Sequence, residues 1–315
     1  MKKIIAMIIM AIFVLTACTI QVPPESENKF SEDELPKFDS CEVLVDSFED
    51  AREKGRGGLS FGIMKGEMML ESAVQSADTA VPTADVEYSE TNIQVEGVDE
   101  ADIVKTDGEY IYTISKNKLV ITKAYPADEA EILYLEEIDD FSPNELFIDD
   151  DRLLVFGRTN YDYPVLEGVV ESSEKMIMPI PRYVSSTTVM LYDVSDRENP
   201  ELLRSFDFEG NYVTSRKIGS DAYFVINSYP HVFEPGDIVP LYRENHEEFE
   251  PVAKCVDIGY IEPVRAQNFI TVASISMDDA DKEVTKEVIV GSGQNVYASL
   301  QNLYVAQTSY NYGVL

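Results

Sequence analysis

The chain has no tryptophan, only two histidines and three cysteines, and 25 basic residues against 58 acidic ones. Each shortage narrows the field. Without tryptophan there is no indole platform for stacking on sugar rings, although 18 tyrosines offer a substitute. The two histidines, His231 and His246, form no H-E-x-x-H pair. His246 lies within Glu244-Asn245-His246-Glu247-Glu248, read as a solvated acidic loop, so no metal site and no cofactor are expected. The formal charge of −33 repels phosphates and anionic head groups, which argues against nucleic acid and against peripheral membrane binding through the protein surface. No apolar run reaches the ~20 residues that cross a bilayer as a helix.

What is present begins at the N-terminus. Lys2 and Lys3 precede the apolar run Ile4 to Val14, and Leu15-Thr16-Ala17-Cys18 follows at once. This pattern resembles a bacterial-type lipoprotein signal with its lipobox. The resemblance implies cleavage before Cys18, a diacylglycerol on the Cys18 thiol, and an extracytoplasmic protein held to the membrane by its lipid. Loss of Lys2 and Lys3 leaves 23 basic residues against 58 acidic, a mature charge of −35.

Cys41 and Cys255 then remain, in a compartment that permits disulfides. Cys41 shares one face with Leu44, Val45 and Phe48 on a short helix expected over about 40–54, capped by Asp39 with Glu42 three residues on. A buried free thiol on that face is the preferred reading, and a Cys41–Cys255 bridge is the alternative. Apart from this helix, and a second one considered over Met64 to Gln75, residues 18–92 read as an acidic linker. Gly58-Leu59-Ser60-Phe61-Gly62 matches the nucleophile elbow G-x-S-x-G but has no strand before it, so it is read as coincidence.

From residue 93 to residue 315 the pattern is short β-rich segments separated by turns. Asp102 to Thr106 and Glu109 to Ser115 flank Asp107-Gly108, a tight hairpin turn, and Leu119 to Lys123 and Glu131 to Ile138 complete a four-stranded antiparallel meander. The unit repeats with second strands at Tyr110-Ile111-Tyr112, Leu153-Leu154-Val155, Tyr223-Phe224-Val225 and Leu303-Tyr304-Val305. Its spacing is uneven for one reason. All the extra length falls between second and third strands, from Leu153 to Val189 and from Tyr223 to Phe269, against Tyr110 to Leu119 in the first unit. A constant unit with insertions at one site is a repeat array decorated on one face. The fold class is therefore all-β, a β-propeller of four-stranded antiparallel blades, about three and a half of them present.

The stretch Thr91-Asn92-Ile93-Gln94-Val95-Glu96-Gly97-Val98-Asp99-Glu100-Ala101-Asp102-Ile103-Val104-Lys105-Thr106-Asp107-Gly108, followed by Tyr110-Ile111-Tyr112, resembles the start of secreted proteins with a C-terminal β-propeller domain, distantly related to WD-repeat proteins. The resemblance implies an exported precursor and brings no activity or catalytic residue with it. Members of that family are longer, and an unclosed array leaves edges unpaired. The chain is accordingly read as truncated.

Alternate connections of a meander lie at opposite ends, so both insertions are expected on one rim, either projecting from it or packed down over it. The first, Arg158 to Ser186, carries Tyr161, Tyr163 and Tyr183; the second, Tyr229 to Gln267, carries His231, Tyr242, Arg243, His246 and Tyr260. These eight residues form the candidate binding face, since loops on a rigid scaffold are where binding resides. Asp149-Asp150-Asp151 and Asp278-Asp279-Asp281 lack the D-x-D-x-D-G order of a calcium loop and read as turns. The function expected is an extracytoplasmic, lipid-anchored binding or scaffold module for a protein, peptide or glycan ligand. The alternative is a secreted propeller enzyme, a hydrolase or metal-dependent enzyme, using the insertion-bearing face.

Overall fold

Period-two patterning places most of the described residues from 95 onward in antiparallel strands. The computed structural model describes residues 35–56, 95–163, 182–230, 235–265 and 268–307. Cys18, the Met64–Gln75 segment, the Gly58–Gly62 motif and His231 lie outside the described residues.

The first blade is a four-stranded meander of β2 (Val104–Thr106), β3 (Tyr110–Ser115), β4 (Lys118–Lys123) and β5 (Glu131–Glu137). The second contains β6 (Phe141–Asp149), β7 (Arg152–Tyr163), β8 (Arg182–Asp193) and β9 (Glu201–Glu209). The third contains β10 (Asn211–Ile218), β11 (Asp221–Ser228), β14 (Phe269–Ser276) and β15 (Thr285–Val290), and the hairpin β16 (Asn295–Ala298) with β17 (Leu303–Ala306) follows. The expected Asp107-Gly108 turn is present, with Gly108 at φ 97°.

Each blade packs against the next through alternating side chains. Leu153, Leu154, Val155 and Phe156 are all fully buried, which identifies the second blade as covered on both faces. Leu153 and Val155 join Tyr112, Leu119 and Ile121 of the first blade, whereas Leu154 and Phe156 join Phe208, Phe224 and Phe269. Phe224 meets Phe156 and Phe208 edge-on, at 5.4 Å in each case. Burying each such ring is worth about 1.5–3 kcal/mol. The first blade buries only the face turned to the second; on its other side Val104, Ile132 and Leu135 are exposed.

Two elements depart from the simple meander. Residues 98–106 do not begin with a strand of the first blade. Val98–Glu100 forms β1, which pairs with β10 of the third blade; Asp102 then exchanges hydrogen bonds with Leu146 of β6 at 2.8 and 3.3 Å; only Val104–Thr106 belongs to the first blade. The lead-in therefore runs across the first strands of three consecutive blades. Charge pairing fixes it, with Lys105 Nζ donating to Asp99 at 2.7 Å and Arg216 bridging to Glu100 at 3.1 Å. In the second departure, Leu241–Glu244 (β12) and Glu250–Pro251 (β13), both from the second insertion, add to β9 at the outer edge of the second blade.

Helix α1, Cys41–Arg56, is not an isolated element in a tether. Its Leu44, Val45, Phe48 and Ala51 are buried, and Phe48 stacks on Phe269 of the third blade at 5.0 Å. Its cap is Ser40 rather than Asp39: the Val43 N–H donates to Ser40 Oγ at 3.4 Å. Cys41 and Cys255 form a disulfide, with Cα atoms 5.1 Å apart, which corrects the preferred free-thiol reading. Helical spacing correctly put Cys41 on the apolar face. The missing fact was that the second insertion folds back over that face and brings Cys255 to it.

Candidate functional site

The second insertion is anchored rather than loose. Ile238, Val239, Val252 and Ile258 are buried in the core shared with α1 and the third blade, and Gly259 joins β15 in a parallel bridge. Of the expected binding residues, Tyr242 is one of these anchors. It is buried, packs on Phe208 at 4.8 Å, and donates to Glu244 at 3.3 Å. Burial, with the Glu244 carboxylate beside it, pushes its hydroxyl pKa up. Arg243 donates from Nε to the buried Asp207 at 2.8 Å and lies over the Phe249 ring at 4.3 Å. Tyr260 packs on Phe38 at 4.5 Å. These three are supports for a surface more than parts of it. His246 is exposed, at φ 61° in the turn after β12.

The first insertion behaves differently from the expected loop. Strands β7 and β8 carry on past Arg158 and Ser186, pairing Tyr161 with Val184, Asp162 with Tyr183 and Tyr163 with Arg182. Tyr161, Tyr163 and Tyr183 thus share one extended hairpin, separate from the β12 group. Of the eight residues, the seven that are described do not form a single cluster: three sit on the β7–β8 extension, Tyr242, Arg243 and His246 on β12 and its turn, and Tyr260 beside Phe38.

Where the second insertion meets the third blade, two clefts open on either side of Lys286. One, of about 590 Å³, runs along β15 and is lined by Lys37, Pro251 to Lys254, Asp257 and Lys286 to Val288. The other, of about 280 Å³, is acidic, with Glu247, Glu248, Glu250, Asp281 and Glu283 around Arg204, Arg243 and Lys286. Arg204 is neutralised by Glu244 at 2.7 Å. Lys286 has its ammonium 3.7 Å from the centre of the Tyr242 ring and, among the described residues, no carboxylate within ion-pair distance. Partial burial holds its pKa below the usual lysine value, against the raising influence of Glu250, Glu244 and Glu283. Sequence reasoning missed Lys286 and the β15 edge because Lys286 lies on a blade strand outside both insertions, and it passed over Lys254 although that residue lies within the second insertion.

The opposite connections are tied down by charge. Arg197, in the β8–β9 turn, bridges to Asp107 at 3.5 Å and to Asp151, and donates to the Tyr112 hydroxyl at 3.1 Å. Asp278 accepts from Ser276 at 2.6 Å. The aspartate-rich segments are therefore turns and bridges. Among the described residues no group of three or more His, Cys, Asp and Glu side chains is placed to share a metal ion.

The Beta propeller domain family matches residues 88–313, and the chain belongs to it. An uncharacterized protein of Archaeoglobus fulgidus is 28% identical over 98% of this chain, and an uncharacterized protein of Methanocaldococcus jannaschii is 25% identical over 76%. The chain spans 48% of the first relative's length, and the match with the second covers 32% of that protein. No solved structure matches.

Proposed function

We propose that the protein is a binding or scaffold module, held outside the membrane by a lipid on Cys18, and that it binds through the surface where the second insertion meets the third blade. One observation carries the placement of the surface. The insertion is fixed by the Cys41–Cys255 disulfide, by the buried Ile238, Val239, Val252 and Ile258, and by pairing to β9, yet it leaves two clefts open on either side of Lys286. Rigid walls around a concave, partly charged surface minimise the ordering cost of binding. Residues such as Tyr242 and Arg243 serve by holding those walls.

The test uses point substitutions, because deleting the insertion would remove core residues and half of the disulfide. Full-length protein and a Glu247→Lys/Glu248→Lys/Lys286→Glu variant, both shown to be folded, are compared in capture experiments from cell envelopes. Partners retained equally by both would place binding elsewhere. Turnover in a broad hydrolase screen, sensitive to chelator, would favour the enzyme alternative. The Cys18→Ala variant is expected to leave the membrane fraction, and retained association would contradict the lipid anchor.

A further inference from the structure

Strand β15 presents an incompletely paired edge to the larger cleft. On one side it is fully laddered to β14, from Thr285 opposite Ser274 to Val290 opposite Phe269. On the other side only its C-terminal half is covered: Gly259 donates to Val288 O at 2.9 Å and accepts from Val290 N at 2.8 Å. Backbone groups alternate direction along a strand. The outward aim of Val288 and Val290 therefore fixes that of Lys286, whose N–H and C=O, together with the Val288 N–H, also point away from β14. Among the described residues these three groups have no hydrogen-bond partner, and Lys286 and Val288 line the 590 Å³ cleft.

An open row of alternating donors and acceptors recognises extended backbone. The cleft has the volume of a ligand site, ~300–1,000 Å³. Its charge selects the ligand further. On a chain of −33, this cleft gathers Lys37, Lys254 and Lys286 against Asp257 and Glu287. Lys254 is exposed, and Lys286 is held over the Tyr242 ring with, among the described residues, no carboxylate within ion-pair distance, although Glu250, Glu244 and Glu283 lie near enough to act on its charge. Resting on the binding-module reading above, we propose that the ligand is an extended acidic peptide segment, which adds as a strand to the Thr285–Val288 edge of β15 and places a carboxylate against Lys286 and Lys254. Backbone pairing supplies affinity that does not depend on sequence, and the two ammonium groups select for acid.

The test uses the full chain and a pool of fluorescent decapeptides with glutamate fixed at two alternating positions. Matched pools carry lysine at those positions, or N-methyl groups on alternate amides. The glutamate pool is expected to bind, the two control pools to bind at least tenfold more weakly, and Lys254→Glu/Lys286→Glu to lose the preference for glutamate. Hydrogen exchange is expected to slow at the amides of Lys286 and Val288 in the complex. Lys286→Pro, which removes an outward N–H but none of the β14 ladder bonds, is expected to abolish that protection; should it misfold, the N-methyl pool tests the same bond from the peptide side. Binding without protection on β15 would overturn strand addition while leaving a binding module elsewhere on the surface. Failure of the glutamate pool to bind would overturn the ligand class, with the envelope captures still judging the broader reading. Concentration-dependent protection of β15 in the free protein would assign the edge to a second copy of the chain and equally overturn the proposal.

Discussion

Replacing both members of the disulfide, Cys41→Ala with Cys255→Ala, tests whether α1 and the second insertion form one body with the blades. The bridge closes a sequence separation of 214 residues. In the chain-entropy description, a loop of that length removes about 5 kcal/mol of conformational freedom from the unfolded state at 25 °C. Strain and residual unfolded-state structure make this an upper figure. With a urea dependence of roughly 3 kcal/mol per molar, the full effect lowers the unfolding midpoint by roughly 1.5 M. The assay is urea denaturation followed by far-ultraviolet circular dichroism, comparing the double variant, the oxidised protein and the protein in reductant. The variant and the reduced protein should share a lowered midpoint. Coincident midpoints for all three would refute the reasoning, which requires the bridge to hold α1 to the second insertion.

Three other perturbations probe the blades. Arg197→Met removes the cation that links Asp107, Asp151 and the Tyr112 hydroxyl, and should cost about 2–3 kcal/mol in thermal or urea unfolding, with an unchanged midpoint counting against it. Gly157→Ala places a methyl 2.4 Å from the Phe141 ring and 2.6 Å from the Ser142 carbonyl, so overpacking should destabilise the second blade by about 1–3 kcal/mol, measured in the same way. Tyr112, Tyr134, Tyr192, Tyr212 and Tyr242 all have pKa values raised, chiefly by burial, with Tyr192 pushed up to about 12. A raised value favours the protonated folded state, so this stability is fully present below the unfolded tyrosine value of ~10 and is lost as pH rises through the folded values. Tyrosinate absorbance, free of tryptophan, should therefore show a late set of ionisations coincident with alkaline unfolding; smooth titration of every tyrosine near its ordinary value would contradict the burial.

The repeat was legible because strand alternation and turn residues are local signals. Asp107-Gly108, the paired apolar faces of Leu153 to Phe156 and the location of the long insertions all follow from residues near one another in the chain. What escaped the sequence was long-range pairing. Val98-Asp99-Glu100 is too short to show alternation of its own, and nothing local shows that its partner is β10. Cys41 lay correctly on an apolar helical face, but its partner arrives through an insertion with weak periodicity. The candidate face suffered most from this. Tyr242 and Tyr260 belong to the expected face because they lie in an insertion on a rigid scaffold, whereas their packing on Phe208 and Phe38 fastens the insertion down. Lys286 was invisible as a site residue because its importance depends on which strand edge remains open.

The proposed binding surface is the junction of the second insertion and the third blade. Its most direct test is amide hydrogen exchange over the full chain, free and saturated with a partner captured from the envelope. Slowed exchange is expected to concentrate in Leu241–Lys254 and Thr285–Val288. Protection confined to the β7–β8 extension around Tyr161 and Tyr183, with β15 unchanged, would contradict it.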